Sequence, residues 1–228
     1  MSEWIDCKIS DIGEVVGGAT PSTKKQENYD GGTIPWITPK DLSNFTGRFI
    51  SRGERNITET GLKSCATQLM PPHSILFSSR APIGYVAISE NEVCTNQGFK
   101  SVVPNKNTDY LFLYYLLKYN KENIEHMGSG TTFKEVSGST MRGISVRVPA
   151  SYEEQRRIGL FLGSIDDKIE ENEHINKNLP PHLCVARTAA KQRRQTPQTD
   201  GGLHTDGKVS VRGGNEETAE QFSSLLVA

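Results

Sequence analysis

The segment Pro149-Ala150-Ser151-Tyr152-Glu153-Glu154-Gln155-Arg156-Arg157 introduces the clearest periodic pattern in the chain. Ser151 and Glu154 have the spacing of a capping box, in which each side chain bonds the backbone amide of the other residue. Apolar and asparagine residues then recur at alternating intervals of four and three, the repeat of a coiled-coil seam. The seam residues are Ile158, Leu162, Ile165, Ile169, Asn172, Asn176 and Leu179. The pattern predicts one long helix over residues 152–179.

A helix with so narrow a seam cannot bury it alone, so the pattern predicts a helix–helix interface with another subunit or a second copy of this chain. Asn172 and Asn176 on the seam would fix the register and lower the stability of the pair. At ~1.5 Å per residue the helix would be about 42 Å long, slightly more than one turn of DNA. The alternative is a surface helix that packs on its own domain.

The first 150 residues predict a mixed α+β domain with short strands and many turns. Residues 75–79 and 85–88 predict two strands around a turn, and the alternation at 144–148 predicts another strand. Residues 109–121 predict a helix that Asp109 can cap and whose apolar stripe lies in the core.

Beyond the long helix the composition changes. Leu179-Pro180-Pro181 stops the helix, because proline removes a backbone donor and restricts the residue before it. The segment that follows is rich in Gln, Thr, Gly and charge, which predicts a mostly disordered tail at 180–228. The resulting organisation is an α+β domain at 1–150, one helix at 151–179 and this tail.

Composition limits the classes of function. The 228 residues are 35% hydrophobic and 23% charged, as in an ordinary globular protein. There is no run of ~18 apolar residues, and the first residues have no apolar signal region, so we expect no membrane contact and a cytoplasmic location. None of the four cysteines forms a CxxC pair and there is no HExxH motif, so we expect no metal site. In a reducing cytosol we expect the cysteines to be free thiols.

The charge is close to balanced, with a net value of −1. Residues 1–150 hold 16 Lys and Arg against 15 Asp and Glu, and residues 151–179 hold 4 against 7. A strongly basic balance is the usual sign of nucleic-acid binding. Contact with DNA would therefore need a local patch, or a partner that supplies part of the phosphate grip.

Several blocks, in order along the chain, resemble the target-recognition domains of type I restriction-modification specificity subunits. They cover residues 4–179 and comprise Gly18-Ala19-Thr20-Pro21-Ser22, Tyr29 to Leu42, Ser78 to Gly84, Thr95-Asn96-Gln97-Gly98-Phe99-Lys100, and Glu154 to Ile158 with the helix after it. The order of the blocks and the long helix behind them make the resemblance specific.

The resemblance implies a non-catalytic subunit with two recognition domains separated by two long antiparallel helices. Each domain reads one half of a bipartite site in double-stranded DNA. The helices set the gap and dock methyltransferase subunits, which carry S-adenosylmethionine and methylate adenine, and a restriction subunit joins for cleavage. We therefore expect no cofactor on this chain itself.

The chain departs from that pattern because it has one domain and one helix where the full subunit has two of each. Two interpretations follow. The chain is a half-subunit that forms a homodimer through the helix, or it is a fragment without function. The alternative to sequence recognition is an adapter or decoy that binds methyltransferase subunits without reading DNA.

Candidate DNA-binding residues lie in the turn-rich parts of the domain. Arg suits guanine and Asn or Gln suits adenine, so Arg80, Asn96 and Gln97 are candidates for reading bases. Phosphate contacts are assigned to Lys24, Lys25, Lys40, Arg48, Arg52, Arg55 and Lys134. The alternatives are ordinary solvated charges and, for Arg80 and Asn96, a role in the scaffold, because family blocks shared by domains with different targets are more often structural.

Nothing in the sequence indicates an active site. Met70-Pro71-Pro72-His73 lacks both flanking residues of an adenine methyltransferase loop, and no GxGxxG follows a strand. Asp166 and Asp167 lie on the predicted helix, where neighbouring residues point about 100° apart and cannot hold one metal together. We expect no catalytic residues.

Overall fold

The computed structural model describes residues 3–80, 82–130 and 134–179, so the tail predicted at 180–228 lies outside the described residues. The strands are β1 (Trp4–Lys8), β2 (Gly13–Gly17), β3 (Ile34–Ile37), β4 (Phe49–Ile50), β5 (Arg55–Ile57), β6 (Ile75–Ser79), β7 (Ile83–Ser89), β8 (Cys94–Thr95), β9 (Lys100–Pro104) and β10 (Ser145–Pro149). The helices are α1 (Ile9–Ile12), α2 (Pro39–Leu42), α3 (Glu59–Lys63), α4 (Tyr110–Tyr119), α5 (Lys121–His126), α6 (Gly138–Gly143) and α7 (Tyr152–Asn178), with a 3-10 turn at Gln26–Asn28.

The strands form three sheets, and the α+β class is confirmed. A five-stranded sheet has the order β2-β9-β6-β7-β4, and a three-stranded sheet has the order β5-β3-β8. In the smaller sheet β3 runs antiparallel to β5 and parallel to β8. The third sheet pairs β1 with β10, placing Trp4 opposite Pro149.

The local predictions for the domain are confirmed. Strands β6 and β7 pair around the predicted turn, with a register shift between Phe77 and Ser79. Helix α4 begins where predicted, because an Asp109 side-chain oxygen accepts from the Phe112 backbone N–H at 2.9 Å. Its apolar stripe is buried in the largest core cluster, together with the inward residues of β10.

The long helix is confirmed as α7, with 27 residues. Its beginning is tied to the domain, since the Ala150 N–H donates to the Glu3 carbonyl oxygen at 2.9 Å. The chain divides into two units between Ile165 and Asp166, so the first turns of α7 belong with the α+β domain. Residues 152–165 therefore pack on their own domain, which is the alternative given above for the whole helix. No helix in the described part of the chain has the length and apolar character that crossing a membrane requires.

Candidate nucleic-acid interface

The β3–β8 pair brings two of the predicted contact segments together. Because the strands are parallel, with Trp36 opposite Cys94 and Ile37 opposite Thr95, the segments that follow them emerge at the same edge of the sheet. Antiparallel β5 begins there too, since Arg55 pairs with Trp36. We call this place the β3–β8 edge and define it by Thr20, Lys40, Arg55, Asn96 and Gln97.

The turn at 96–98 is the centre of the β3–β8 edge. The Asn96 side-chain oxygen accepts from the Gly98 N–H at 2.9 Å, and the Asn96 N–H donates to the Ile37 carbonyl oxygen at 3.1 Å. A Cβ on Gly98 would come 2.8 Å from Pro39 Cγ, so the turn lies against α2. Asn96 thus shapes the turn, as in the scaffold interpretation, and its role in base reading stays a prediction.

Gln97 is the exposed residue of the turn. Its side-chain oxygen accepts from the Thr20 hydroxyl, 77 residues earlier in the chain. The neighbouring Ala19 is fixed by two bonds, because its N–H donates to the Thr95 carbonyl oxygen and its own carbonyl oxygen accepts from the Trp36 indole N–H. A rigid support below an exposed amide is the arrangement that reading a base edge requires.

Lys40 is held by an acid on the facing loop. Its Nζ lies 2.8 Å from Glu54 Oε2, and this hydrogen bond raises the pKa of Lys40 and lowers the pKa of Glu54. The Glu54 N–H donates to the Asp41 carboxylate at 2.7 Å, and that carboxylate also accepts from Thr38 at the start of α2. Lys40 and Arg55 line one shallow cleft of about 210 Å³.

Arg80 follows a residue that is hydrogen-bonded to the same turn. The N–H of its neighbour Ser79 donates to the Gly98 carbonyl oxygen at 2.7 Å. Arg80 Nη1 lies 3.4 Å from Glu135 Oε2, and Lys100 Nζ lies 3.5 Å from Glu135 Oε1. Glu135 therefore holds both cations in place, which agrees with a scaffold role for Arg80.

The remaining predicted phosphate contacts divide into two groups. Lys24, Lys25, Arg52 and Lys134 are exposed, and Lys25 Nζ lies 3.5 Å from Glu27 Oε1. Arg48 is engaged elsewhere, because its Nη1 donates to the Gly163 carbonyl oxygen of α7 at 2.6 Å and to the Tyr115 hydroxyl at 3.3 Å. We therefore do not include Arg48 in the proposed DNA-contacting surface.

The predicted helix interface divides as well. Ile158, Leu162 and Ile165 are half-buried, and Ile158 packs against the main core of its own domain. Along the second half of the helix, Ile169 is 52% exposed, Asn172 and Asn176 are exposed, and Leu179 is half-buried. The interface itself stays a prediction.

The domain contact of α7 uses residues that the heptad pattern does not include. Gln155, Gly159 and Gly163 are buried at intervals of four, which places them on one face of the helix. Leu160 and Phe161 remain 51% and 56% exposed. Glycines add nothing to an apolar pattern, and only their regular spacing could have indicated this face.

The described residues contain no group of three His, Cys, Asp or Glu side chains that could hold a metal ion. Cys7, Cys65 and Cys94 are free thiols. Burial raises the pKa of Cys94 to about 11, so its thiol stays protonated at neutral pH. The chemistry available at the β3–β8 edge is hydrogen bonding and charge.

The fold and this surface define a recognition module, an α+β scaffold with cations and an amide near one turn, which is followed in the chain by a long helix. The family model described as type I restriction modification DNA specificity domain matches residues 1–180. The chain belongs to this family, as the sequence resemblance predicted.

Relatives named as specificity subunits match most of the chain. The type I restriction enzyme MjaIX specificity subunit of Methanocaldococcus jannaschii is 49% identical over 179 residues, which are 78% of this chain and 41% of the relative. The EcoR124I/EcoR124II specificity subunit of Escherichia coli is 29% identical over 163 residues, 69% of this chain and 40% of the relative. The chain thus spans about two-fifths of the length of these relatives.

Solved structures agree on the fold. The crystal structure of the HsdS subunit from Thermoanaerobacter tengcongensis has a TM-score of 0.57 at 19% identity, covering 75% of this chain and 39% of that one. A chain from a structure that concerns complex assembly and conformational transition of the type I R-M system has a TM-score of 0.60 at 20% identity, covering 84% of this chain and 43% of that one.

Proposed function

We propose that this chain reads one half of a bipartite DNA site as the recognition half of a type I specificity subunit. It would act in the cytoplasm, catalyse no reaction itself, and direct methyltransferase subunits, which hold S-adenosylmethionine, and through them a restriction subunit. The observation that carries the proposal is the β3–β8 edge, where the exposed Gln97 lies in a turn that is hydrogen-bonded to Ile37 and Ser79, and Lys40, Arg55 and Arg80 lie on the neighbouring segments.

The surface divides into two kinds of contact. Phosphate contacts position a protein on the duplex without reading sequence, and exposed cations suit them. We assign this role to Lys24, Lys25, Lys40, Arg52, Arg55 and Lys134. An amide can bond the adenine edge with two hydrogen bonds, each such pair contributing about 1–3 kcal/mol of discrimination. We assign base reading to Gln97.

The chain has a net charge of −1, and several of the cations proposed to lie near DNA have an acidic partner. This arrangement is compatible with DNA binding that depends mainly on sequence. Glu54 holds Lys40, and Glu135 holds Arg80 and Lys100. These acids fix the cations and weaken the attraction of the surface for phosphate in general. Since non-specific binding comes almost entirely from that attraction, weak general attraction raises the share of affinity that depends on sequence.

We propose that a second copy of this chain supplies a second recognition domain. A pair related by a twofold axis through the seam of α7 would place two domains on one duplex and read a symmetric, interrupted site. The exposed Ile169, Asn172 and Asn176 support this assembly. The relatives, whose names are those of specificity subunits, favour sequence recognition over the adapter or decoy function.

The test co-expresses the full chain with the methyltransferase subunit of the same system and maps methylated adenines across a genome. A defined bipartite motif is the expected result. A stable complex that methylates no motif would overturn the proposal and support the adapter or decoy.

Gln97→Ala sharpens the test, since it should relax or change the motif at one position per half-site. Asn107→Ala is the matched control. It removes an exposed amide from a turn at the opposite end of β9, about 16 Å of strand away at ~3.3 Å per residue. The control should leave the motif unchanged.

A further inference from the structure

Gln155 joins the first turn of α7 to two separate parts of the domain. It is 3% exposed. Its side-chain oxygen accepts from the Asp109 backbone N–H at 3.1 Å, and its Nε2 donates to the Pro149 carbonyl oxygen at 2.9 Å. A buried amide needs partners of this kind, and both ends of this one are satisfied. The bonds define the position of the first turn of the helix against α4 and β10.

One turn further on, Gly159 lets the helix approach the beginning of α4 closely. A Cβ at this position would come 2.8 Å from Phe112 N, 2.9 Å from Leu111 Cβ and 3.0 Å from Asp109 Oδ1. All three atoms belong to the capped first turn of α4, and two of them, Phe112 N and Asp109 Oδ1, are hydrogen-bonded to each other. That turn has little freedom to move aside, so only glycine fits.

A third contact follows at Gly163. Its carbonyl oxygen accepts from Arg48 Nη1 at 2.6 Å, although it lies in the middle of the helix. The same Nη1 lies 3.3 Å from the Tyr115 hydroxyl, and the guanidinium carbon lies 5.9 Å from the centre of the Phe49 ring. Arg48 is thus oriented by the domain and bonds one particular carbonyl of the helix.

The three contacts allow one rotational setting of residues 152–165. Gln155, Gly159 and Gly163 are four residues apart and share a face, while each one-residue shift rotates the helix by about 100°. After such a rotation Arg156 would take the position of Gln155, where it cannot accept the hydrogen bond from the Asp109 N–H. Leu160 would take the position of Gly159, where the close approach to α4 leaves no room for a side chain. The observed setting leaves Leu160 and Phe161 exposed.

We propose that Gln155, Gly159, Gly163 and Arg48 form a joint that fixes the rotation of residues 152–165 on the recognition domain, and that this joint helps to set the spacing between half-sites. The proposal rests on the proposed function. A partner bound to the exposed side of these turns meets the domain in one orientation only, and a looser joint would admit neighbouring orientations. The four residues are positioning residues and need no contact with DNA.

The first experiment measures backbone hydrogen exchange of residues 152–165 in the full chain. Gly159→Ala should make exchange there about tenfold faster, equivalent to about 1.4 kcal/mol of local stability. Gly163→Ala is the matched control and should exchange as the native protein does, because alanine keeps the carbonyl oxygen that Arg48 bonds and its Cβ would meet Arg48 Nη1 at 3.5 Å and Tyr115 Oη at 3.9 Å, which is ordinary contact. Arg48→Ala, which removes a single bonding side chain, should give a smaller acceleration and serves if Gly159→Ala fails to fold. Equal exchange in native protein, Gly159→Ala and Arg48→Ala would overturn the joint.

The second experiment asks whether the joint sets spacing. In the methylation assay, Arg48→Ala should keep the half-site sequences of the native motif but accept spacers one base pair longer or shorter. Arg48→Lys, which retains a charge and a donor, should restore part of the native spacing. Unchanged spacing would remove the functional part of the proposal. If the native chain gives no motif at all, the proposed function fails, and the exchange experiment still decides whether the joint exists.

Discussion

Lys40 and Glu54 form a 2.8 Å ion pair between α2 and the residue preceding β5, and the pair lies at the edge that we propose contacts DNA. The same loops are tied by the bond from the Glu54 N–H to Asp41. The position of Lys40 therefore depends on a side chain whose charge opposes phosphate binding. Arg80 stands in the same relation to Glu135.

Glu54→Gln should strengthen DNA binding and increase its dependence on salt. The substitution removes the negative charge that competes with phosphate for Lys40, so Lys40 should contact phosphate more completely and the slope of log affinity against log salt should grow by up to about one unit. Fluorescence anisotropy with a labelled duplex containing the motif, between about 50 and 200 mM salt, measures the slope. Glu59→Gln is the control, because Glu59 forms a comparable exposed pair with Lys63 on α3. A slope equal to that of the native protein would show that Glu54 does not compete with phosphate for Lys40.

Gly18→Ala should destabilise the domain strongly. A Cβ on Gly18 would come 2.2 Å from the carbonyl oxygens of both Thr95 and Asn96, which are backbone atoms in the turn that supports Gln97. Such overpacking typically lowers the free energy of unfolding by about 1–3 kcal/mol or more. Gly17→Ala provides the comparison, since nothing lies within 4 Å of its Cβ. Urea denaturation of the two variants should separate them clearly, and similar midpoints would contradict the close approach.

Cys94 should make stability fall at high pH. Burial raises the pKa of its thiol from 9.0 to about 11, so between these values the folded protein keeps a proton that the unfolded chain releases. The contribution is complete below about pH 9 and is lost as pH rises toward 11, by up to about 1.4 kcal/mol per unit. Urea denaturation from pH 8 to 11 should show a smaller decline for Cys94→Ala than for native protein. Val93→Ala, a buried truncation next to Cys94 that removes no titratable group, should keep the native decline, and identical declines in all three proteins would reject the assignment.

Ile169→Lys should abolish self-association if the seam of α7 joins two copies. Ile169 is 52% exposed, and a charge at a seam position opposes helix pairing. Light scattering of the native chain should give about twice the monomer mass of 25.2 kDa, and the variant should give the monomer mass. Glu170→Lys tests the neighbouring face and should remain dimeric. A native chain that stays monomeric at high concentration would exclude the homodimer.

The elements predicted from sequence are those whose signals are local. Three predicted elements are confirmed: the β6–β7 hairpin, the capped helix α4 and the long helix α7. The residues that indicate each of them lie within or directly beside that element in the sequence. Their signals are periodicity, turn residues and caps, which act over a few positions.

The site was only partly predictable because long-range pairing assembles it. Trp36 and Cys94 are 58 positions apart, and no local pattern indicates that their strands are parallel neighbours. The sequence nominated Lys40, Arg55 and Gln97 singly, and the structure brings them to one edge. The sequence did not indicate that Arg48 bonds α7, because an arginine in a polar loop has the same local pattern whether it contacts phosphate or a helix carbonyl.

Because β1 pairs with β10, the chain enters and leaves the domain at neighbouring positions. Trp4 lies opposite Pro149 in an antiparallel ladder, so the two ends of the domain are one strand spacing apart, about 4.8 Å. The segment from Trp4 to Pro149 contains nearly everything that we propose reads DNA, and its two ends lie next to each other. It could therefore be replaced by another segment with the same end-to-end distance. We therefore expect a domain with this layout to be exchangeable as one unit, and under the proposed function such an exchange would give one helix a new DNA sequence to read while the rest of the assembly stays the same.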